Sequence, residues 1–145
     1  MTTATADLSW LTTTRTTTHM RALEQLSADI VINAIEGGYP SMWGKVTNYK
    51  WRDADWESNS PPTTRATIKS EDYPMPIHIH SKDVLTYMLE LVEGKHKDIL
   101  PTNLALQLVG AVILESTVDD VACTLDAYDC DAIIQAVALG EVVYG

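Results

Sequence analysis

Three short segments in the middle of the chain alternate apolar and polar residues, a period of two that is typical of β-strands. They run from Met42 to Trp51, from Thr64 to Ser70 and from Pro76 to His80. Segments of helical periodicity lie before and after them. Because consecutive strands joined by loops tend to pair as antiparallel neighbours, the sequence predicts an α+β fold with a three-stranded antiparallel sheet packed by four to five helices on one face.

The predicted helices are marked by apolar residues three and four positions apart and by residues that favour helix ends. Ser81 and Asp129 suit N-caps, and Thr117 to Asp120 resembles a capping box. The segment 103–115 is apolar on nearly every side, which is typical of a central helix or of one shared between subunits. The helices are expected from about Met20 to Gly37, from Ser81 to Gly94, from Asn103 to Glu115, from Thr117 to Leu125 and from Asp129 to Gly140.

The first 18 residues differ from the rest of the chain because half of them are threonine. Such a composition buries little apolar surface. We therefore expect residues 1–18 to form a flexible arm. Residues 19–145 have the usual length of one domain, and we expect them to form a single α+β domain with its own core.

The last residues are expected to anchor the fold. Gly140 can end the terminal helix, and the chain then continues through Val142, Val143 and Tyr144. These side chains would return to the domain after the turn. The sequence therefore predicts that removal of Glu141 to Gly145 destabilises the protein.

The expected location is the cytoplasm. Cys123 and Cys130 fit neither a disulfide framework nor a metal-ligand spacing, so both are interpreted as small core residues in a reducing compartment. The chain begins without the basic and apolar regions of a secretion signal. Its longest apolar run, near Leu104 to Leu114, is shorter than the roughly 20 residues that cross a bilayer.

The net negative charge of the chain lies in its second half. Residues 1–70 carry seven basic and seven acidic side chains, whereas residues 71–145 carry three and thirteen, so the second half holds the whole net charge of −10. Such a surface repels nucleic acid and suits basic protein partners or simple solubility, and mimicry of a nucleic-acid duplex is a further alternative. The candidate partner-binding residues are Asp119, Asp120, Asp126 and Asp129, together with Trp56 in a long polar loop.

The only aromatic and basic grouping lies around the first two strands. Strict alternation would place Trp43, Lys45, Tyr49 and Trp51 on one face, where rings could stack on a base while cations meet phosphates. The alternative is that the rings fill a core that has no Phe. The candidate ligand-binding residues are Trp43, Lys45, Tyr49, Lys50, Trp51 and Arg65.

Catalytic signals are weak. His78 and His80 share one strand face and are weak metal candidates, because a metal site needs at least a third ligand and none has a supporting spacing. The sequence has no nucleophile motif, phosphate-binding glycine loop or dinucleotide fingerprint. We therefore expect no cofactor, no bound metal and no enzymatic activity.

Two short motifs resemble small accessory proteins of unassigned function from actinobacterial phages. Those proteins have a helix that ends in Glu-Gly-Gly before a nearby Tyr-Trp, and they close on Gln-x-Ala-Leu-Phe-Gly-Glu-x-Val-Tyr-Gly. The matching residues here are Glu36, Gly37, Gly38 and Trp43, and then Gln135 to Gly145, with Leu139 at the Phe position and a looser Tyr39 to Trp43 spacing. The resemblance implies a phage product that acts inside a bacterium, and it supplies no catalytic residues.

Taken with this resemblance, the sequence favours a non-enzymatic, phage-type accessory protein that binds and interferes with a host or anti-phage defence protein. The alternative is a protein that sequesters a nucleotide signal on the aromatic and basic sheet face. A metal-dependent hydrolase that uses His78 and His80 comes third. No membrane association is expected, and the apolar helix 103–115 could support a homodimer.

Overall fold

A computed structural model describes residues 15–145, and its first element is helix α1 (Thr17–Glu36). The Thr16 side chain accepts a hydrogen bond from the backbone N–H of His19 at 3.0 Å and caps the helix. Because Thr16 supplies this cap, α1 begins three residues before the expected start at Met20. Residues 1–14 of the predicted arm lie outside the described residues.

The three strands form one antiparallel sheet in the order β1-β2-β3, with β1 at Lys45–Arg52, β2 at Thr63–Lys69 and β3 at Ile77–His80. The predicted meander is therefore confirmed. Strand β1 begins later than expected because Pro40–Met42 forms a short 3₁₀ turn. Proline at the start of that turn has no N–H to contribute to a strand ladder.

A β-bulge interrupts β1 in its middle. Thr47 pairs with Thr67, but the next paired residue of β1 is Lys50, which lies opposite Arg65. Asn48, between them, has a φ of 53°, a left-handed conformation that asparagine tolerates better than most residues. The bulge reverses the alternation, so residues after it point to the opposite face from the one that strict alternation predicts.

The remaining helices follow the sheet in sequence, and with α1 they make five α-helices within residues 15–145. Their bounds are α2 (Ser81–Val92), α3 (Thr102–Ile113), α4 (Val118–Thr124) and α5 (Ala127–Leu139). None of the helices in this described range is long and apolar enough to cross a membrane.

The side-chain caps predicted at Ser81, Thr117 and Asp129 do not form as predicted. His80, not Ser81, caps α2 by accepting a hydrogen bond from the backbone N–H of Lys82. The Thr117 hydroxyl donates to the carbonyls of Gly110 and Leu114 and makes no capping hydrogen bond to α4. The capping box opens α5 instead, where Asp126 is the N-cap.

The helices lie on one face of the sheet and share one buried core with it. Helix α1 contacts α5, α2 and β2. Ala66, Ile68 and Ile79 of the sheet are buried on this side, as expected from the alternation. Cys130 is buried as expected, where burial raises the pKa of its thiol to about 12, but Cys123 is exposed.

A buried polar network joins the chain end to the start of the sheet, and Gln135 lies at its centre with no exposed surface. Its Nε2 donates to Asp131 Oδ2 at 2.8 Å and to the Tyr144 carbonyl at 2.9 Å. Its Oε1 accepts from the backbone N–H groups of Val143 at 2.9 Å and Tyr144 at 2.8 Å. All four hydrogen-bonding positions of the amide are therefore satisfied.

Trp43 completes this network. Its Nε1 donates to Asp131 Oδ1 at 3.1 Å, and its ring stacks on that of Tyr144 with centroids 4.9 Å apart. The Tyr144 hydroxyl donates to Asp72 at 2.6 Å. Burial raises the pKa of Asp131, and the hydrogen bonds from Trp43 and Gln135 oppose that rise. The predicted return of the chain end to the domain is confirmed for Val142 and Tyr144, whereas Val143 is 45 % exposed, and the loss of stability on removal of Glu141 to Gly145 stays a prediction. Residues of both resemblance motifs meet in this anchor.

Candidate functional site on the open face of the sheet

The face of the sheet turned away from the helices carries three rows of polar side chains. Strand register fixes which residues share each row, because residues directly opposite one another point to the same face. The rows are Lys45 with Lys69, then Thr47 with Thr67 and His78, then Lys50 with Arg65 and His80. Lys45, Lys50, Arg65 and Lys69, which we call the basic face, are all exposed.

The basic face contains two pairs of like charges. Lys45 lies directly opposite Lys69, and Lys50 lies directly opposite Arg65. Cross-strand pairs of like charge destabilise a sheet, whereas opposite charges at such positions stabilise it. Among residues 15–145, none of these four cations has an acidic side chain within ion-pair distance. The chain has twice as many acidic as basic residues, yet none of the acidic residues that the structure describes forms an ion pair with these cations.

Two histidines extend the basic face along β3. His78 is exposed, and its Nδ1 lies 3.1 Å from the Thr67 hydroxyl. His80 is half-buried, and its Nδ1 accepts the capping hydrogen bond from Lys82 at 3.0 Å. No group of three or more His, Cys, Asp or Glu residues within the described chain is arranged to hold a metal ion. Each histidine already uses one ring nitrogen in a structural hydrogen bond.

The structure separates the aromatic residues predicted to bind a ligand from the cations predicted to act with them. Trp43 is only 9 % exposed and lies in the core, where its ring and its N–H are both engaged. The interpretation that it could stack on a ligand is therefore replaced by a core role. The core needs such a ring because the chain has no Phe.

Tyr49 and Trp51 lie on the helix side of the sheet because they follow the bulge at Asn48. The Tyr49 hydroxyl donates to Glu36 of α1 at 2.5 Å, and burial together with Glu36 raises the pKa of Tyr49. Trp51 pairs with Thr64, whose hydroxyl bonds to a carbonyl of α1, so it shares that side. Trp51 is 55 % exposed, but its ring is on the face opposite the cations.

Trp56 is held by its own neighbours. The guanidinium of Arg21 in α1 lies 4.6 Å from the centre of the Trp56 ring. The loop around it is ordered by a 3₁₀ turn at Trp56–Ser58, capped by Asp55, and by a bridge between Asp55 and Ser60. The side chain is therefore half-buried against α1, and the loop is less free to meet a partner than its length and polarity indicated.

The four candidate aspartates divide into two pairs. Asp126 Oδ1 accepts from the Asp129 backbone N–H at 2.7 Å, and Asp129 Oδ2 accepts from the Asp126 N–H at 3.3 Å. These two carboxylates cap α5. Asp119 and Asp120 are exposed in the first turn of α4 and remain accessible to a partner.

Helix α3 is buried on one side only. Leu104, Leu108 and Val112 belong to the core, whereas Leu106 of α3 and Leu114, which directly follows the helix, are 62 % and 55 % exposed. The homodimer expected from this helix stays a prediction.

Sequence reasoning grouped Lys45, Lys50, Arg65 and Lys69 with the aromatic residues of the first two strands, but it did not show on which side of the sheet each side chain lies. The position of Lys50 on the same face as Lys45 depends on the bulge at Asn48. The only signal for the bulge was an asparagine between two strand-forming segments, which does not by itself predict a change of register.

Compared with protein-family models, with curated proteins and with solved structures, the chain has no significant match. The resemblance to phage accessory proteins therefore stays a prediction that depends on the two short motifs. Trp43, Gln135 and Tyr144 of those motifs are in contact inside the fold. In this chain the motif residues act together in anchoring the chain end.

Proposed function

We propose that this protein acts by binding and not by catalysis, as an accessory protein of phage type that engages a host or defence protein. The contact surface is the basic face, and the partner presents an acidic surface to it. One observation supports this proposal: two exposed cross-strand pairs of like charge have no counter-ion among residues 15–145, although the net charge of the chain is −10. An acidic partner would remove the repulsion within each pair.

The dimensions of the basic face favour a protein partner. The three strands span about 10 Å between the outer strands, and the two cation rows lie about 13 Å apart along β2. A flat surface of this size can meet several residues of a folded partner. The strong negative charge elsewhere opposes the approach of a nucleic acid, whose whole backbone is anionic.

Sequestering of a nucleotide signal is supported less well. The predicted site needed aromatic rings and cations on one surface, and the bulge places Tyr49 and Trp51 on the opposite side from Lys50 and Arg65. Within the part of the chain that the structure describes, the open face therefore offers cations to a phosphate but no Trp or Tyr ring to a base. The proposed partner is accordingly recognised through its negative charge.

Capture from a bacterial lysate tests the proposal with charge-reversed variants. The wild-type protein is expected to retain a partner at low and moderate salt. The Lys45→Glu/Lys69→Glu variant is expected to retain at least about 10-fold less, because two attractive contacts become repulsive. The control is Asp119→Asn/Asp120→Asn, which alters the other exposed charged surface and should leave capture unchanged.

Three results would contradict the proposal. Equal capture by the wild type and the Lys45→Glu/Lys69→Glu variant would exclude the basic face as the contact surface. Failure of the wild type to retain any protein at either salt concentration would count against binding as the function. Capture that persists at high salt would also argue against it, because exposed charge contacts are screened over about 8 Å at physiological ionic strength.

Charge reversal on the basic face should also stabilise the free protein. In Lys50→Glu the new carboxylate lies opposite Arg65, so a repulsive pair becomes an attractive one. We expect the free energy of unfolding to rise by about 0.2–1 kcal/mol in urea titrations. The same change at Lys97, in an exposed turn, should give no increase. A clear loss of stability in Lys50→Glu would show that Lys50 supports the fold.

A further inference from the structure

A concave cleft lies at one end of the basic face, between the bulge of β1 and strand β3, with a volume of about 350 Å³. The bulge at Asn48 interrupts the strand pairing at its margin. None of the described residues that line the cleft is acidic. The polar residues of the lining are Asn48, Lys50, Arg65, Thr67, His78 and His80.

The hydrogen-bonding groups of the cleft are chiefly donors. Lys50 and Arg65 can only donate, and Arg65 offers the fork of N–H groups that matches two oxygens of one anion. His80 Nδ1 already accepts from the backbone of Lys82. In the neutral His80 ring the hydrogen is therefore on Nε2, so that nitrogen can also donate to a ligand.

The Thr67 and His78 pair also retains a donor in either arrangement. If the Thr67 hydroxyl donates to His78 Nδ1, the ring hydrogen is on Nε2 and remains unused. If Nδ1–H donates instead, the Thr67 hydroxyl hydrogen remains unused. Together with Lys50, Arg65 and His80, this pair supplies at least four side-chain donors around one cavity.

We propose that this cleft binds the phosphoryl group of a phosphate monoester. The inference deepens the proposed function and rests on it, because it names the anionic group that the partner presents to the basic face. A carboxylate has two oxygens and can be satisfied by Arg65 alone. A phosphate monoester has three terminal oxygens and close to two negative charges, so it can use Arg65, Lys50 and the neutral donors together.

Titration of the ¹⁵N-labelled full-length protein tests this inference. The probes are O-phosphoserine, adenosine monophosphate and inorganic phosphate, each at constant ionic strength, with serine and adenosine as controls that lack the phosphoryl group. All three phosphoryl probes should shift the amide signals of Asn48, Arg65, Thr67 and His78. Stronger binding of O-phosphoserine would identify a modified side chain as the source, and stronger binding of the nucleotide would identify a small ligand.

Two variants make the titration specific. Arg65→Gln should weaken phosphate binding by about 10-fold or more, since it removes charge-assisted hydrogen bonds to the anion. Lys97→Gln removes one positive charge outside the cleft and should leave binding unchanged. The native amide spectrum of each variant shows that it is folded. Shifts spread over all basic residues, or equal weakening by the two variants, would overturn the inference.

The inference and the proposed function can fail separately. Lys45 and Lys69 belong to the basic face but do not line the cleft. Loss of partner capture in Lys45→Glu/Lys69→Glu without any phosphate-induced shift would leave the proposed function standing and reject the phosphoryl site. If phosphate binds in the cleft but the Lys45→Glu/Lys69→Glu variant captures its partner as well as the wild type does, the phosphoryl site would stand and the proposed function of the basic face would be rejected.

Discussion

Replacement of Gln135 by Glu is expected to lower the free energy of unfolding by about 3–5 kcal/mol at neutral pH, the usual cost of an uncompensated buried charge. The two side chains have nearly the same shape, so the effect comes from chemistry. A carboxylate oxygen would replace Nε2, which now donates to Asp131 Oδ2 and to the Tyr144 carbonyl. Three acceptors would then meet in a site closed to water. Urea unfolding measures the loss.

Gln25 provides a matched control for Gln135→Glu. It also donates from Nε2 to an aspartate four residues away, at 3.0 Å from Asp29, but it is exposed. Gln25→Glu should cost no more than about 0.5 kcal/mol, because water screens the repulsion. If Gln25→Glu and Gln135→Glu lower the free energy of unfolding equally, burial of the Gln135 network does not determine the cost of the replacement.

The loss of unfolding free energy in Gln135→Glu should depend on pH in a defined direction. Burial already raises the pKa of Asp131, and a second buried carboxyl would be raised for the same reason and by repulsion from Asp131. A carboxyl whose pKa is higher in the folded than in the unfolded state destabilises the folded state as pH rises above the unfolded-state pKa, and the effect is complete above the folded-state pKa. The loss of stability should therefore be largest at a pH above the folded-state pKa and should shrink as pH falls from the folded-state pKa to the unfolded-state pKa.

Deletion of residues 141–145 should lower the free energy of unfolding by about 3 kcal/mol or more, which corresponds to a fall in Tm of roughly 10 °C for a chain of this size. Three of the four hydrogen bonds of Gln135 involve Val143 and Tyr144. The deletion also removes the ring stacked on Trp43. Buried polar groups lose partners, and an aromatic surface of the core becomes exposed.

The control for this deletion is removal of Gly145 alone. That change leaves the Tyr144 ring, its backbone groups and the Gln135 network in place, so the Tm should move little. An unchanged Tm after removal of all five residues would contradict the anchor. Differential scanning calorimetry gives the comparison directly.

Much of the fold follows from local patterns in the sequence. Period-two segments predicted the strands, helical spacing predicted the helices, and Gly140 was predicted to end the last one, where its φ of 77° is indeed left-handed. Caps were less predictable because several polar residues compete at each helix start. His80 was interpreted as an exposed or hydrogen-bonded histidine and a weak metal candidate, and its role as the N-cap of α2 was not predicted.

The candidate site was less predictable because it depends on contacts between distant residues. Lys69 was predicted to point outward and Lys45 was placed on the strand face of Trp43, but only the strand register shows that the two lysines lie opposite each other. Trp43 was open to a core or a ligand role, and its partner Asp131 is 88 residues away. Local patterns in the sequence do not predict contacts between residues that are so far apart along the chain.

The proposed contact surface can be tested at all six lysines of the chain in one experiment. Lys45, Lys50 and Lys69 lie on it, whereas Lys82, Lys95 and Lys97 lie elsewhere. Acetylation of exposed lysines, with and without the captured partner and read by mass spectrometry, compares the two sets within one sample. We predict that the partner protects Lys45, Lys50 and Lys69 and leaves the other three reactive. Protection confined to Lys82, Lys95 and Lys97, or spread equally over all six, would contradict the proposed contact surface.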